Sequence, residues 1–284
     1  MKISFIGAGK AGCSLGKYFA EKGSGCGLTV SGYYSLEEAD ARWAATFTGS
    51  HCFAAMGEAV DKSDAIIVST PDGAITKVWE SLRQEHVSGK MICHLSGSLS
   101  SDVFSGAEDL GAYPVSIHPM FAFSNRESVY QQLQQASFTL EGHPRAVLAW
   151  QEVFEALGNG AAPIDRDVKA KYHGAASLLS NHVLAVLATG YELLEECGFS
   201  SKEARSFSQF LVKNNVEHAI KEGCVKALTG PVERGDIGTV EKHLSVMGEA
   251  QQELYRACGR KLAALARQKH PGQDYGPMED LLNQ

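Results

Sequence analysis

With 284 residues, 44% of them hydrophobic and 21% charged, the chain has the make-up of a globular protein with room for about two domains. A formal net charge of -7, with no block of Lys and Arg, argues against nucleic acid and anionic membrane as partners. The seven cysteines are odd in number and show no C-x-x-C spacing. That fits reduced thiols in a cytoplasm better than a disulfide framework or a zinc site, and no metal is expected.

Met1 to Gly12 holds a short apolar run broken by Gly7, Gly9 and Lys10. It is too brief for a signal peptide and reads as a strand. No stretch of 18 apolar residues offers a membrane span. Ile3 to Ile6 is the first strand, followed by a helical pattern through Leu15, Phe19 and Ala20. Leu28 to Tyr34 reads as a strand, Glu37 to Phe47 as a helix, and Ala65 to Val68 as a buried strand stopped at Pro71. Met91 to Leu95 and Val115 to Ile117 follow as strands, and Ser137 to Leu140 and Ala161 to Ile164 as later ones. Strand and helix alternating at this spacing predict an α/β Rossmann domain with a doubly wound parallel sheet.

The pattern changes near Asp165. Helical stretches are expected from Asp167 to Cys197, Ser201 to Lys221 and Thr239 to Gln268, and the Pro- and Gly-containing tail after His270 reads as loosely ordered. The expected division is residues 1–166 for the Rossmann domain and 167–284 for an all-α domain that binds substrate and dimerises.

Gly7-Ala8-Gly9-Lys10-Ala11-Gly12 is a G-x-G-x-x-G run between a strand and a helix. The first glycine permits the tight turn, the second lets a pyrophosphate approach the backbone, and the third lets helix and strand pack closely. NAD sites place an acid at the end of the second strand, but Ser31 to Ser35 contains none. That favours NADP, with Ser35 and Arg42 as candidates for the 2′-phosphate; Glu37 or Glu38 taking the NAD role from a shifted position is the alternative. Thr70, Pro71 and Asp72 lie at a strand end beside the same cofactor, and Asp72 is also a candidate helix cap.

Together with the glycine motif, four further segments occur in the order seen in one family. They are Ser96-Gly97-Ser98-Leu99-Ser100, His118-Pro119-Met120, the helix from Lys171-Tyr172-His173 to Asn181, and Gly230 to Asp236. The chain resembles Rossmann-like oxidoreductases with a helical C-terminal domain of uncharacterised type, a branch near ketopantoate reductase, pyrroline-5-carboxylate reductase and 6-phosphogluconate dehydrogenase. The resemblance implies NAD(P) as cofactor, substrate bound between the two domains, and a homodimer built on the region after Ser200.

Within that frame the 167–197 helix carries small polar groups, His173, Ser177, Ser180 and Asn181, on an arc beside its apolar face. Relatives use a Lys and an Asn from this helix, which implies Lys171 as proton donor and Asn181 as its companion, with His173 as a rival donor. His118, at a strand end before Pro119, is a third candidate. Ser96 and Ser98 either bind substrate or form a Gly-Ser turn. Arg234 is placed to clamp a carboxylate, with Asp236 capping the next helix or orienting it; dimer packing is the competing role for this segment. These features predict an NADPH-dependent reductase of a small 2-oxo acid, ketopantoate first. A cyclic-imine reductase and a non-catalytic NADP-binding regulator are the alternatives.

Overall fold

The computed structural model describes residues 1–284. Eight strands form one sheet: β1 (Lys2–Ile6), β2 (Thr29–Tyr34), β3 (His51–Cys52), β4 (Ala65–Val68), β5 (Met91–His94), β6 (Tyr113–Met120), β7 (Ser137–Gly142) and β8 (Gly160–Pro163). Their order is β3-β2-β1-β4-β5-β6-β7-β8. The order reverses between β1 and β4, and ligands of open α/β sheets bind at the strand ends of such a reversal.

The sheet is parallel except where β7 runs antiparallel to β6, a departure from the expected parallel arrangement. The segment joining them carries only a 3-10 turn, Val129–Gln135. A parallel neighbour is usually reached through a crossover helix, which this segment lacks, whereas an antiparallel one needs none.

Helices α1 (Lys10–Lys22), α2 (Glu38–Thr48), α3 (Met56–Asp61), α4 (Asp72–Leu82) and α5 (Pro144–Leu157) cover the sheet. Successive β4 residues divide between its two faces. Ala65 and Ile67 join a core with Leu15 and Phe19 of α1 and Trp150 and Phe154 of α5. Ile66 and Val68 join a second core with Ile75 and Trp79 of α4. Burial on both faces explains why β4 is apolar throughout.

The helical half holds α6 (Lys169–Ser177), a π turn at Leu178–His182, α7 (Val183–Glu196), α8 (Ser201–Glu222), α9 (Cys224–Ala227), α10 (Pro231–Arg234), α11 (Ile237–Ser245), α12 (Glu249–Lys269) and α13 (Gly276–Asn283). The helix expected over 167–197 runs unbroken from Lys169 to Glu196, with the π turn inside it. The one expected over 239–268 is two helices, with Gly248 at the N-cap of the second.

The tail is ordered, contrary to the expectation from its Pro and Gly content. Tyr275, Met278 and Leu282 are buried with Val240, Leu244 and Ala263. A Cβ on Gly259 would meet Leu282 Cδ2 at 2.7 Å, so the glycine is what lets α13 lie close to α12. The chain separates into compact units at Met1–Ser180 and Asn181–Gln284; α6 belongs to the first. No helix is long and apolar enough to cross a membrane.

Candidate functional site

The turn from β1 into α1 borders a cavity of about 660 Å³ lined by Gly7, Ala8, Gly9, Lys10, Ser35, Ser69, Thr70 and Pro71, with Asp40 and residues 124–127 across from them. Gly7 has φ +100°, a conformation that penalises any side chain. A Cβ on Gly12 would collide with the Ser69 side chain, which explains the third glycine: α1 lies directly on the end of β4. The first intrahelical bond of this turn runs from Cys13 N–H to the Gly9 carbonyl, 2.9 Å. No side chain caps the N-terminus of α1, so its first amides are left for an anion. Thr70 Oγ1, at the lip, is buried without a hydrogen-bond partner. Free amides, close-packed glycines and an orphaned hydroxyl together fit the pyrophosphate half of a dinucleotide.

A second polar group lies past the ends of β5 and β6. His94, the last residue of β5, pairs in register with Ser116 of β6. Lys169, at the start of α6, is only 2% exposed, and its Nζ donates to Ser116 Oγ at 2.5 Å and the Ser96 carbonyl at 3.4 Å. Burial lowers its pKa from 10.5 to about 8, with Glu141 and Asp72 acting in the opposite direction. The residues at i+3 and i+4 from Lys169 are Tyr172 and His173, which share its helix face. The Tyr172 hydroxyl is 2.7 Å from His118 Nδ1, and the His118 and His173 rings meet edge to face at 6.0 Å.

Two imidazoles here, His118 and His94, are held neutral. Burial first, then the Lys169 charge, lowers His118 to about 4. His94 is lowered to about 4 by the same two causes. Its Nδ1 accepts from Ser96 N–H at 3.2 Å and its Nε2 faces the Ser100 carbonyl at 3.1 Å. One neutral tautomer satisfies both contacts, and a second proton would break the first.

The predicted site residues separate into groups. The first glycines, Lys10, Ser35, Thr70 and Pro71 line the cavity. Arg42 does not; it forms an exposed i,i+4 pair with Glu38 beside Trp43 and Phe47. Asp72 is the first residue of α4 rather than its cap, and its Oδ2 accepts from both Ser96 Oγ at 2.7 Å and Ser98 Oγ at 3.1 Å. Both serine hydroxyls thus face the Asp72 carboxylate.

Lys171 is exposed and, about 200° around the helix from Lys169, faces away from the cluster. Ser177 ends α6, whereas Asn181, Arg234 and Asp236 belong to the second unit. There Asp236 caps α11 through Thr239 and lies 4.0 Å from Arg234. Sequence reasoning missed Lys169. The signal was its spacing: it stands three and four residues before the Tyr172-His173 pair.

Residues 1–119 match the sequence model of a Rossmann-like domain. The sheet order, the glycine turn and this match define the chain as a Rossmann-type α/β protein. Residues 136–262, which run from β7 into α12, match the domain of unknown function DUF2520.

No curated protein matches by sequence. Among solved structures, protein TM1727 from Thermotoga maritima is 25% identical, with 94% of this chain and 99% of that one covered and a TM-score of 0.74. An imine reductase from Myxococcus stipitatus, in complex with NADP+, is 18% identical over 100% and 93% of the two chains, TM-score 0.61. A pyrroline-5-carboxylate reductase from Coxiella burnetii is 14% identical over 94% and 96%, TM-score 0.60. At 18% and 14% identity the last two likenesses establish the fold.

Proposed function

We propose that this protein is an NADPH-dependent reductase of a small 2-oxo acid, with ketopantoate the first substrate to try. The observation that carries the proposal is Lys169, a buried cation lowered to about 8 beside Ser116 and the neutral His94 and His118, in the same unit as the glycine turn. The NADP+ complex of the imine reductase that shares this fold supports the choice of cofactor.

A bound reduced nicotinamide supplies the hydride that adds to the carbonyl carbon. The chain's part is the proton. As the C=O π bond opens, Lys169 gives a proton to the oxygen, which becomes the hydroxyl of a 2-hydroxy acid. Water then returns a proton to the neutral amine. A donor with a pKa near the working pH is the most effective kind. His118, at about 4, is deprotonated at neutral pH and serves as a hydrogen-bond partner of Tyr172. The donor role expected of Lys171 passes to Lys169 in this reading. A carbonyl needs such a donor, whereas an iminium substrate already carries its proton; this favours an oxo acid over a cyclic imine.

The active form in this proposal is a homodimer in a reducing cytoplasm. Leu184, Phe207, Phe210, Leu211 and Ile220 of the second unit are exposed large apolar residues, and exposed apolar surface of this kind supports an interface. Seven unpaired cysteines support the compartment.

The test is NADPH oxidation by the full chain with a panel of 2-oxo acids and cyclic imines. Turnover of an oxo acid is the expected result. Turnover of imines alone would replace the substrate class, and NADPH binding without any turnover would make the protein a regulator.

A further inference from the structure

The cofactor cavity is completed from an unexpected direction. Past the end of β2 the chain offers Ser35 and, in α2, Asp40. The cavity's only arginine comes instead from the far side of the sheet. After β6 the chain runs back across the mouth of the glycine turn as residues 121–128. This segment is fastened at three points. The Asn125 carbonyl accepts from Ser14 Oγ of α1 at 3.3 Å. Arg126 Nη1 donates to Asp40 Oδ1 at 3.0 Å. The Arg126 guanidinium lies 4.1 Å from the ring centre of Trp43. Asn125 Oδ1 also accepts from the Glu127 and Ser128 amides at 3.0 and 2.8 Å, which folds the segment into a tight turn.

We infer that Arg126, delivered by this strap and held in orientation by Asp40 and Trp43, is the residue that selects a 2′-phosphorylated adenosine dinucleotide. The inference rests on the dinucleotide reading of the cavity and adds to it the group that sets the choice between NADPH and NADH.

The charges make the argument. In a Rossmann site the adenosine ribose lies beyond the end of β2, where Ser35 and Asp40 line the cavity. Asp40 alone there would repel a phosphate and accept from a ribose diol, which is the NAD arrangement. Arg126 cancels that repulsion. Its contact with Asp40 engages one of five donors, and the planar fork suits phosphate oxygens. A phosphate monoester carries about -1.5 to -2 charge against -1 for a carboxylate, so it attracts the shared guanidinium more strongly. Lys10 also lines the cavity and opens α1, the helix end that suits a pyrophosphate. Glu127 also lines the cavity but is exposed to solvent, which screens it.

The two members of the pair therefore have opposite effects. Removing Arg126 leaves Asp40 facing the ribose and turns an NADP site into an NAD site. Removing the charge of Asp40 relieves repulsion and favours NADPH further.

The experiment is fluorescence titration of the wild-type chain, Arg126→Ala, Arg126→Gln and Asp40→Asn with NADPH and with NADH. The fragments 2′,5′-ADP and 5′-AMP serve as competitors, and thermal melts check that each variant is folded. Both Arg126 variants should bind NADPH about 10- to 100-fold more weakly, as expected for loss of a charge-assisted contact. NADH affinity should stay level or rise, and the advantage of 2′,5′-ADP over 5′-AMP should vanish. Asp40→Asn should raise the NADPH-to-NADH affinity ratio. Should Arg126→Ala not fold, Arg126→Gln, which keeps a hydrogen bond to Asp40, decides the matter. A ratio unchanged in both Arg126 variants, or equal loss of both cofactors, overturns the inference while leaving the dinucleotide reading intact. Wild-type protein that binds neither cofactor overturns both.

Discussion

Lys169 Nζ lies 2.5 Å from Ser116 Oγ, tying the first turn of α6 to β6 at the level where β5 ends. The bond joins a residue next to the compositional break near Asp165 to an interior strand of the Rossmann sheet, and it brings Tyr172 and His173 to His118.

Replacing Lys169 separates it from its neighbour on the helix. Lys169→Met should lower kcat by about 10²- to 10⁴-fold, the usual range for a general acid, with NADPH affinity unchanged. Lys171→Met should remain within about threefold of wild type, since an exposed side chain on the opposite face makes no transition-state contact. In the wild type, kcat should fall as pH rises through about 8, where the ammonium is lost. Steady-state kinetics across pH on the three proteins checks this. Equal loss in both variants, or a flat profile above about 8, would remove the proton from Lys169.

Acid should destabilise the fold through His94. Its folded pKa of about 4 lies below the ordinary 6.5, so between those values the unfolded chain binds a proton that the folded chain refuses. Stability is complete above about 6.5 and declines as pH falls toward about 4. A shift of this size corresponds to about 3 kcal/mol. Urea midpoints measured at neutral and at mildly acidic pH should show the loss, and His94→Gln should reduce the dependence, leaving the part due to His118, which is lowered to the same value.

Gly97 leaves the room that the histidine pair requires. A Cβ there would stand 2.6 Å from both His118 Nε2 and His173 Cδ2. Gly97→Ala should therefore push the imidazoles apart and lower kcat by at least about tenfold, while costing only about 1–3 kcal/mol of stability. The comparison of turnover, NADPH titration and melting temperature is decisive. Full activity would show that the pair can shift freely and has no positional role.

The exposed apolar face of α8 predicts self-association. Light scattering at micromolar concentration should give twice the chain mass. Phe210→Glu, which places a charge among Phe207, Leu211 and their neighbours, should yield monomer. A wild-type monomer would contradict the homodimer.

Local sequence was enough to mark the Rossmann half, because its signals are carried by consecutive residues. The run Gly7 to Gly12 sits between an apolar strand and a helix, and β4 is apolar at every position because both its faces are covered. Tertiary structure decided matters that involve residues far apart in the chain. The tail reads as loose from Pro271, Gly272 and Pro277, yet Leu282 is buried because Gly259 lets another helix approach. The cation of the polar cluster is Lys169 rather than Lys171 because helix phase relative to β6 depends on where α6 docks. The cavity's arginine is Arg126 rather than Arg42 for a similar reason. Arg42 is taken by Glu38 one turn away, and only the path of the chain after β6 brings Arg126 to Asp40, 86 residues back. Periodicity fixes which residues share a face of their own element; which partner that face meets is set by packing between elements.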